Sequence, residues 1–150
     1  ISLSFDKRKT PTEKLPLGAQ APELVLGNEK QPLSLQAPKG NYILLSFWAS
    51  YDATSRTRNA RLHHVVSDDA RVEMISISFD RYPSVFRTAV RQDGIGDNVY
   101  QEMEGENSDI FKSYDLKHGF INCLVDDRGV IVAKNVSPSE LASLLHTAKG

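Results

Sequence analysis

Asp52, Ser55 and His118 supply a carboxylate, a hydroxyl and an imidazole, three groups that can divide the roles of orienter, nucleophile and base in hydrolysis. No G-x-S-x-G turn surrounds Ser55, which counts against that use. Cys123 is the only cysteine, so no disulfide forms within these 150 residues and no zinc site of several cysteines is available. Flanked by Asn122 and Leu124, it is expected to be a buried, inert hydrophobe. His63 and His64 are adjacent and point about 100° apart on a helix, unlike the i, i+4 pair that holds zinc; they read as a solvated helix edge. Asp126-Asp127 offers two carboxylates, too few for a calcium cage and well suited to a turn. Neither a metal nor another cofactor is expected. Trp48 and Tyr51 offer aromatic faces for binding, against core packing for Trp48 and half-exposed packing for Tyr51. Asp80-Arg81 follows a strand end, where open α/β sheets gather ligands, although solvation at a helix start explains the pair more simply.

Lys and Arg number 18 against 19 Asp and Glu, and the one basic run is Lys7 to Lys9. Nucleic-acid and membrane surfaces require clustered cations, so neither is an expected partner; proteins, peptides and small molecules are. No apolar stretch reaches the roughly 18–20 residues that span a bilayer. The chain opens at Ile1, and an upstream piece is expected to have been removed. Residues 1–15 are polar and charged and read as a tether. Residues 16–150 have the length of one domain that can bury a core unaided.

The elements that must hold these side chains follow from periodicity. Leu24 and Leu26, then Leu33 and Leu35, alternate on either side of Gly27-Asn28 and predict a short N-terminal β-hairpin. Tyr42 to Trp48 is a nearly continuous apolar run, which predicts a central strand covered on both faces. Asp52 to Val66 carries Leu62, Val65 and Val66 at helical spacing. Val72 to Phe79 predicts a second buried strand, and Pro83 opens a helix with Val85, Phe86, Ala89 and Val90 on its stripe. A short helix is expected around Asn107 to Tyr114. Phe120 to Val125 and Val130 to Lys134 form a hairpin across Asp126-Asp127-Arg128-Gly129. Ser137-Pro138-Ser139-Glu140 is a capping box that starts the last helix.

This order of a parallel βαβ unit, an antiparallel hairpin and a closing helix resembles a thioredoxin fold, an α/β architecture with a mixed central sheet, here with an N-terminal hairpin. Gly18-Ala19-Gln20-Ala21-Pro22-Glu23-Leu24 resembles the G-x-x-A-P-x-F opening of peroxiredoxins and of the TlpA/ResA-like thiol-disulfide oxidoreductases (the AhpC/TSA-related group). Phe47-Trp48-Ala49-Ser50-Tyr51 resembles F-W-A-S-W, which in that group leads into C-x-x-C-R. Tyr114-Asp115-Leu116, then Cys123-Leu124-Val125-Asp126 with Gly129, resemble Y-x-V and F-L-I-D-x-x-G. The likeness runs from about Gly18 to Gly150.

What departs from that pattern bears on function. Asp52 and Ser55 stand where the group carries its two cysteines. The resemblance places position 52 at a helix N-terminus, where orphan amides would favour a thiolate; a carboxylate there forms no mixed disulfide, and a serine hydroxyl resolves none. Loss of dithiol exchange is therefore expected. The group's cis-proline position falls on Phe120, and a non-proline cis bond costs about 2.5–4 kcal/mol, so a trans Gly119–Phe120 bond is expected. Asp52 is expected first as an N-cap. A second reading joins Trp48, Tyr51, Asp52, Arg56, His118, Gly119 and Phe120 into a surface for a protein or peptide, because the fold would bring the 118–120 loop beside the helix start. The resemblance further implies an exported bacterial protein held outside the cytoplasmic membrane, and the polar tether fits that location.

Overall fold

The computed structural model describes the backbone of residues 14–149 and the side chains of residues 14–147; residues 1–13 of the expected tether lie outside the described residues. β1 (Tyr42–Trp48) is the middle strand of a five-stranded sheet, with β2 (Val72–Ser78) and β3 (Val99–Gln101) parallel to it on one side; on the other, β4 (Asn122–Val125) pairs antiparallel with β1 and β5 (Ile131–Lys134) antiparallel with β4. Leu45 lies opposite Ile75 of β2 and Cys123 of β4. Because strand side chains alternate, Ile43, Leu45 and Phe47 enter one core with Ile75, Ile77, Ile110 and Tyr114, while Leu44 enters another with Leu62, Leu141 and Leu145. Covered on both sides, β1 needs an unbroken apolar run.

The second core is roofed by α1 (Ala53–Val66) and α4 (Pro138–Lys149), and Trp48 at the end of β1 packs with Ala89 of α2 (Pro83–Asp93). On the opposite face lie α3 (Asp109–Ser113) and the N-terminal segment, which contributes Leu24 and Leu26. The α4 capping box forms as its sequence predicts, Ser137 N–H donating to Glu140 Oε1 at 2.8 Å and Glu140 N–H to Ser137 Oγ at 3.1 Å.

Two expectations need correction, and one strand was not predicted. The N-terminal hairpin makes no regular ladder: the Leu33 N–H donates to the Leu24 carbonyl, and residues 21–26 run without strand pairing. That segment is held instead by long-range contacts, with residues 18–21 bonded to residues 129–131 and a Tyr114 hydroxyl donating to the Pro22 carbonyl. Leu15, assigned to the tether, is 5% exposed and lies in the core. Strand β3, three residues long, carries too little alternation to be read from the sequence.

Candidate functional site

The carboxyl end of β1 turns into α1 through Ala49 to Asp52, and everything at this junction follows from how that turn is held. Asp52 is the N-cap, extended at φ −109° and ψ 97°, and its Oδ2 accepts the Ser55 N–H at 3.2 Å, satisfying one of the orphan amides of a helix start. Ser55 is 1% exposed. Its hydroxyl donates back to the Asp52 carbonyl at 3.2 Å and accepts from Ala49 N–H at 3.4 Å, so it closes the turn from inside.

His118 is exposed, lines a cleft with Leu15, Tyr114 and Lys134, and makes no hydrogen bond to Asp52 or Ser55. The carboxylate, hydroxyl and imidazole that could share a hydrolytic task are therefore not assembled as one.

Besides His118, two members of the expected surface are elsewhere. Trp48 is fully buried, its indole N–H donating to Ser76 Oγ at 2.7 Å, whose hydroxyl donates in turn to Asn59 Oδ1 at 2.9 Å; a ring in the core presents no platform. Arg56 turns toward the end of α2, with a two-pronged bond to Asp93 at 2.9 Å through each nitrogen and a further bond to Gln92 at 3.0 Å. That bond, ahead of the Coulombic attraction of Asp93, holds its guanidinium above the ordinary value.

Tyr51 and Phe120 do come together, with Asp52 and Gly119 as their neighbours along the chain. Tyr51 is 65% exposed and meets Phe120 edge-on, ring centres 6.4 Å apart. Phe120 is half-buried, stacked on Phe79 at 5.5 Å and edge-on to Phe111 at 6.3 Å. The Gly119–Phe120 peptide bond is trans, and Gly119 takes φ 137°, a conformation that favours glycine. An aromatic ring anchored in the core here holds the loop from below.

Sequence reasoning missed two residues that build this site. Arg58 donates to the Phe120 carbonyl at 2.7 Å, tying α1 to the 118–120 loop; burial lowers its pKa, with Asp52 acting the other way. Its only signal was position, since the buried positions 55, 59 and 62 leave residue 58 at the margin of the inward face. Asp80, read as solvated, is 2% exposed. It accepts the Ser50 hydroxyl at 2.6 Å, the Ser50 N–H at 3.1 Å and the Ser78 hydroxyl at 2.6 Å, and so clamps the end of β2 to the turn that carries Tyr51. Neighbouring Arg81 is exposed.

The remaining candidates resolve plainly. Cys123 is fully buried, and burial pushes its thiol up to about 12. Asp126 accepts from the backbone N–H groups of Arg128 and Val130, and Asp127 from Gly40 N–H, so both carboxylates serve turns. His64 is exposed, but His63, expected on the same solvated edge, is half-buried, and its Nε2 is buried without a partner. Among the described residues no group of three or more His, Cys, Asp or Glu side chains is placed to hold a metal, and no helix is long and apolar enough to cross a membrane.

Among solved structures the chain is similar to a thioredoxin-like protein from Parabacteroides distasonis, at 37% identity and a TM-score of 0.79 over 88% of this chain and 96% of that one. It is also similar to a thiol-disulfide oxidoreductase from Bacteroides fragilis, at 25% identity and a TM-score of 0.70 over 87% and 99%. The thioredoxin domain of a thiol-disulfide oxidoreductase from Bacteroides vulgatus shares the fold, at 24% identity and a TM-score of 0.73 over 91% and 99%. No protein-family profile and no curated protein matches the chain. The chain belongs to the thioredoxin-like proteins.

Proposed function

We propose that this domain is silent in dithiol exchange and binds an extended segment of a protein or peptide at the face formed by Tyr51, Asp52, Gly119 and Phe120. The observation that carries the reading is the state of the helix start. A carboxylate caps it, the residue three positions on is a buried hydroxyl spent on the backbone, and the one thiol lies deep in the sheet. No sulfur is available there to attack or to resolve a disulfide. Beside it, Tyr51 stays exposed against a loop fixed by Phe120 and Arg58, and a rigid, half-wet aromatic face suits recognition of a partner.

The likeness to thiol-disulfide oxidoreductases supports an extracytoplasmic location. Two measurements test the function. Turnover in insulin reduction with dithiothreitol is expected at background, and activity above it refutes redox silence. Panning a displayed random-peptide library on the purified chain is expected to enrich ligands whose binding drops on Phe120→Ala or Tyr51→Ala; ligands indifferent to both refute the assigned face.

A further inference from the structure

We infer that the segment accepted at this face is held through its side chains and not by main-chain pairing, with an aromatic side chain of the partner seated against the exposed Tyr51 ring; the inference rests on the binding role proposed above. A strand added to an edge draws on both the N–H and the carbonyl of every second residue it pairs with. Around the two rings those groups already have partners inside the domain. On the helix side, the Ser50 N–H donates to Asp80 Oδ1 at 3.1 Å, the Asp52 N–H donates to the Ala49 carbonyl at 3.1 Å, and the Asp52 carbonyl accepts the Arg56 N–H at 3.0 Å. On the loop side, the Gly119 N–H donates to the Leu116 carbonyl at 3.1 Å, the Phe120 carbonyl accepts Arg58 at 2.7 Å, and the Ile121 carbonyl accepts the Phe47 N–H at 3.1 Å. Residues 50, 52, 119, 120 and 121 have each engaged at least one of the two groups a ladder needs, and the Phe120 carbonyl is covered by a charged donor.

The face offers aromatic surface instead. Tyr51 is the outermost of four rings in contact: it meets Phe120 edge-on at 6.4 Å, Phe120 stacks on Phe79 at 5.5 Å, and Phe111 lies edge-on to Phe120 at 6.3 Å and to Phe79 at 5.8 Å. The inner three are buried or half-buried, whereas Tyr51 is 65% exposed. A partner ring set against Tyr51 continues this series at the spacing of roughly 4.5–7 Å that aromatic pairs prefer, and it asks no donor or acceptor of the backbone. Because Phe79 and Phe111 fix Phe120 from below, the surface is formed before the partner arrives, which lowers the ordering cost of binding.

The test uses peptides selected from the random library on the full chain, with binding read by fluorescence anisotropy. Selected sequences are expected to share an aromatic residue whose replacement by Ala weakens binding about tenfold. Replacing each peptide amide in turn by an ester, which removes one N–H donor, is expected to change affinity by no more than about twofold. Tyr51→Phe is expected to bind as the native chain does, since the ring and not the hydroxyl makes the contact. Selection without an aromatic residue, a loss of about fivefold or more at alternate ester positions, or a loss on Tyr51→Phe overturns capture by an aromatic side chain and leaves the binding face standing. Failure to enrich any ligand sensitive to Tyr51→Ala or Phe120→Ala overturns both.

Discussion

Replacing Asp80 by alanine removes a buried acceptor that three donors share: the Ser50 N–H, the Ser50 hydroxyl and the Ser78 hydroxyl. A hydrogen bond to a charged group contributes about 1.5–3 kcal/mol. The three are not additive, because Ser50 is half-exposed and regains water when its partner goes. The expected loss is about 3 kcal/mol, a large share of the 5–15 kcal/mol on the order of which domains are stable. Urea unfolding followed by Trp48 fluorescence reads it as a midpoint lowered by about 1.5 M. Asp80→Asn keeps one carbonyl acceptor of the same shape and is expected to lose about half as much. If Asp80→Ala costs under about 1 kcal/mol, or if Asn is as damaging as Ala, the carboxylate does not clamp the turn and the account of how Tyr51 is positioned fails.

Cys123 is expected to resist iodoacetamide in the native protein and to react on unfolding, since burial raises its thiol pKa and blocks access; rapid native labelling refutes this. His63 has its pKa lowered by burial, with Asp97 opposing, so the unfolded chain binds the proton more readily. Stability is then expected to be full above the unfolded value of about 6.5 and to fall as pH drops through and below it. Urea midpoints across that range are expected to fall less steeply for His63→Gln; an unchanged slope refutes the assignment. Gly129 sits at φ +79° under the Gln20 side chain, so Gly129→Ala is expected to cost about 1–2 kcal/mol, read as a Tm lower by about 3–6 °C; an unchanged Tm refutes the strain.

Much of the framework was legible because it depends on local order. The apolar run from Tyr42 to Trp48 announces a strand buried on both faces by residue type alone, while Ser137 to Glu140 announces a helix start and Asp126 to Gly129 a tight turn through bonds between residues a few positions apart. Asp52 as a cap was readable for the same reason. The N-terminal segment misled because alternation signals which residues are buried, and Leu24 and Leu26 are buried in the core that holds Ile43, Phe47 and Tyr114 rather than by a paired second strand.

The sequence by itself determined that no pair of thiols is available in these residues and that a carboxylate leads the first helix, since both are matters of residue type and local capping. Only the tertiary structure decided which side chains form the face. Arg56 and Arg58 are two residues apart, yet one reaches Asp93 in α2 and the other the Phe120 carbonyl, 62 positions away. Trp48 and Tyr51, three apart, end in the core and in solvent. Neighbours on a chain diverge when a helix turns them by about 100° per residue. Which partner each then meets depends on where the β2–α2–β3 crossover and the 118–120 loop come to rest, and no local pattern encodes that.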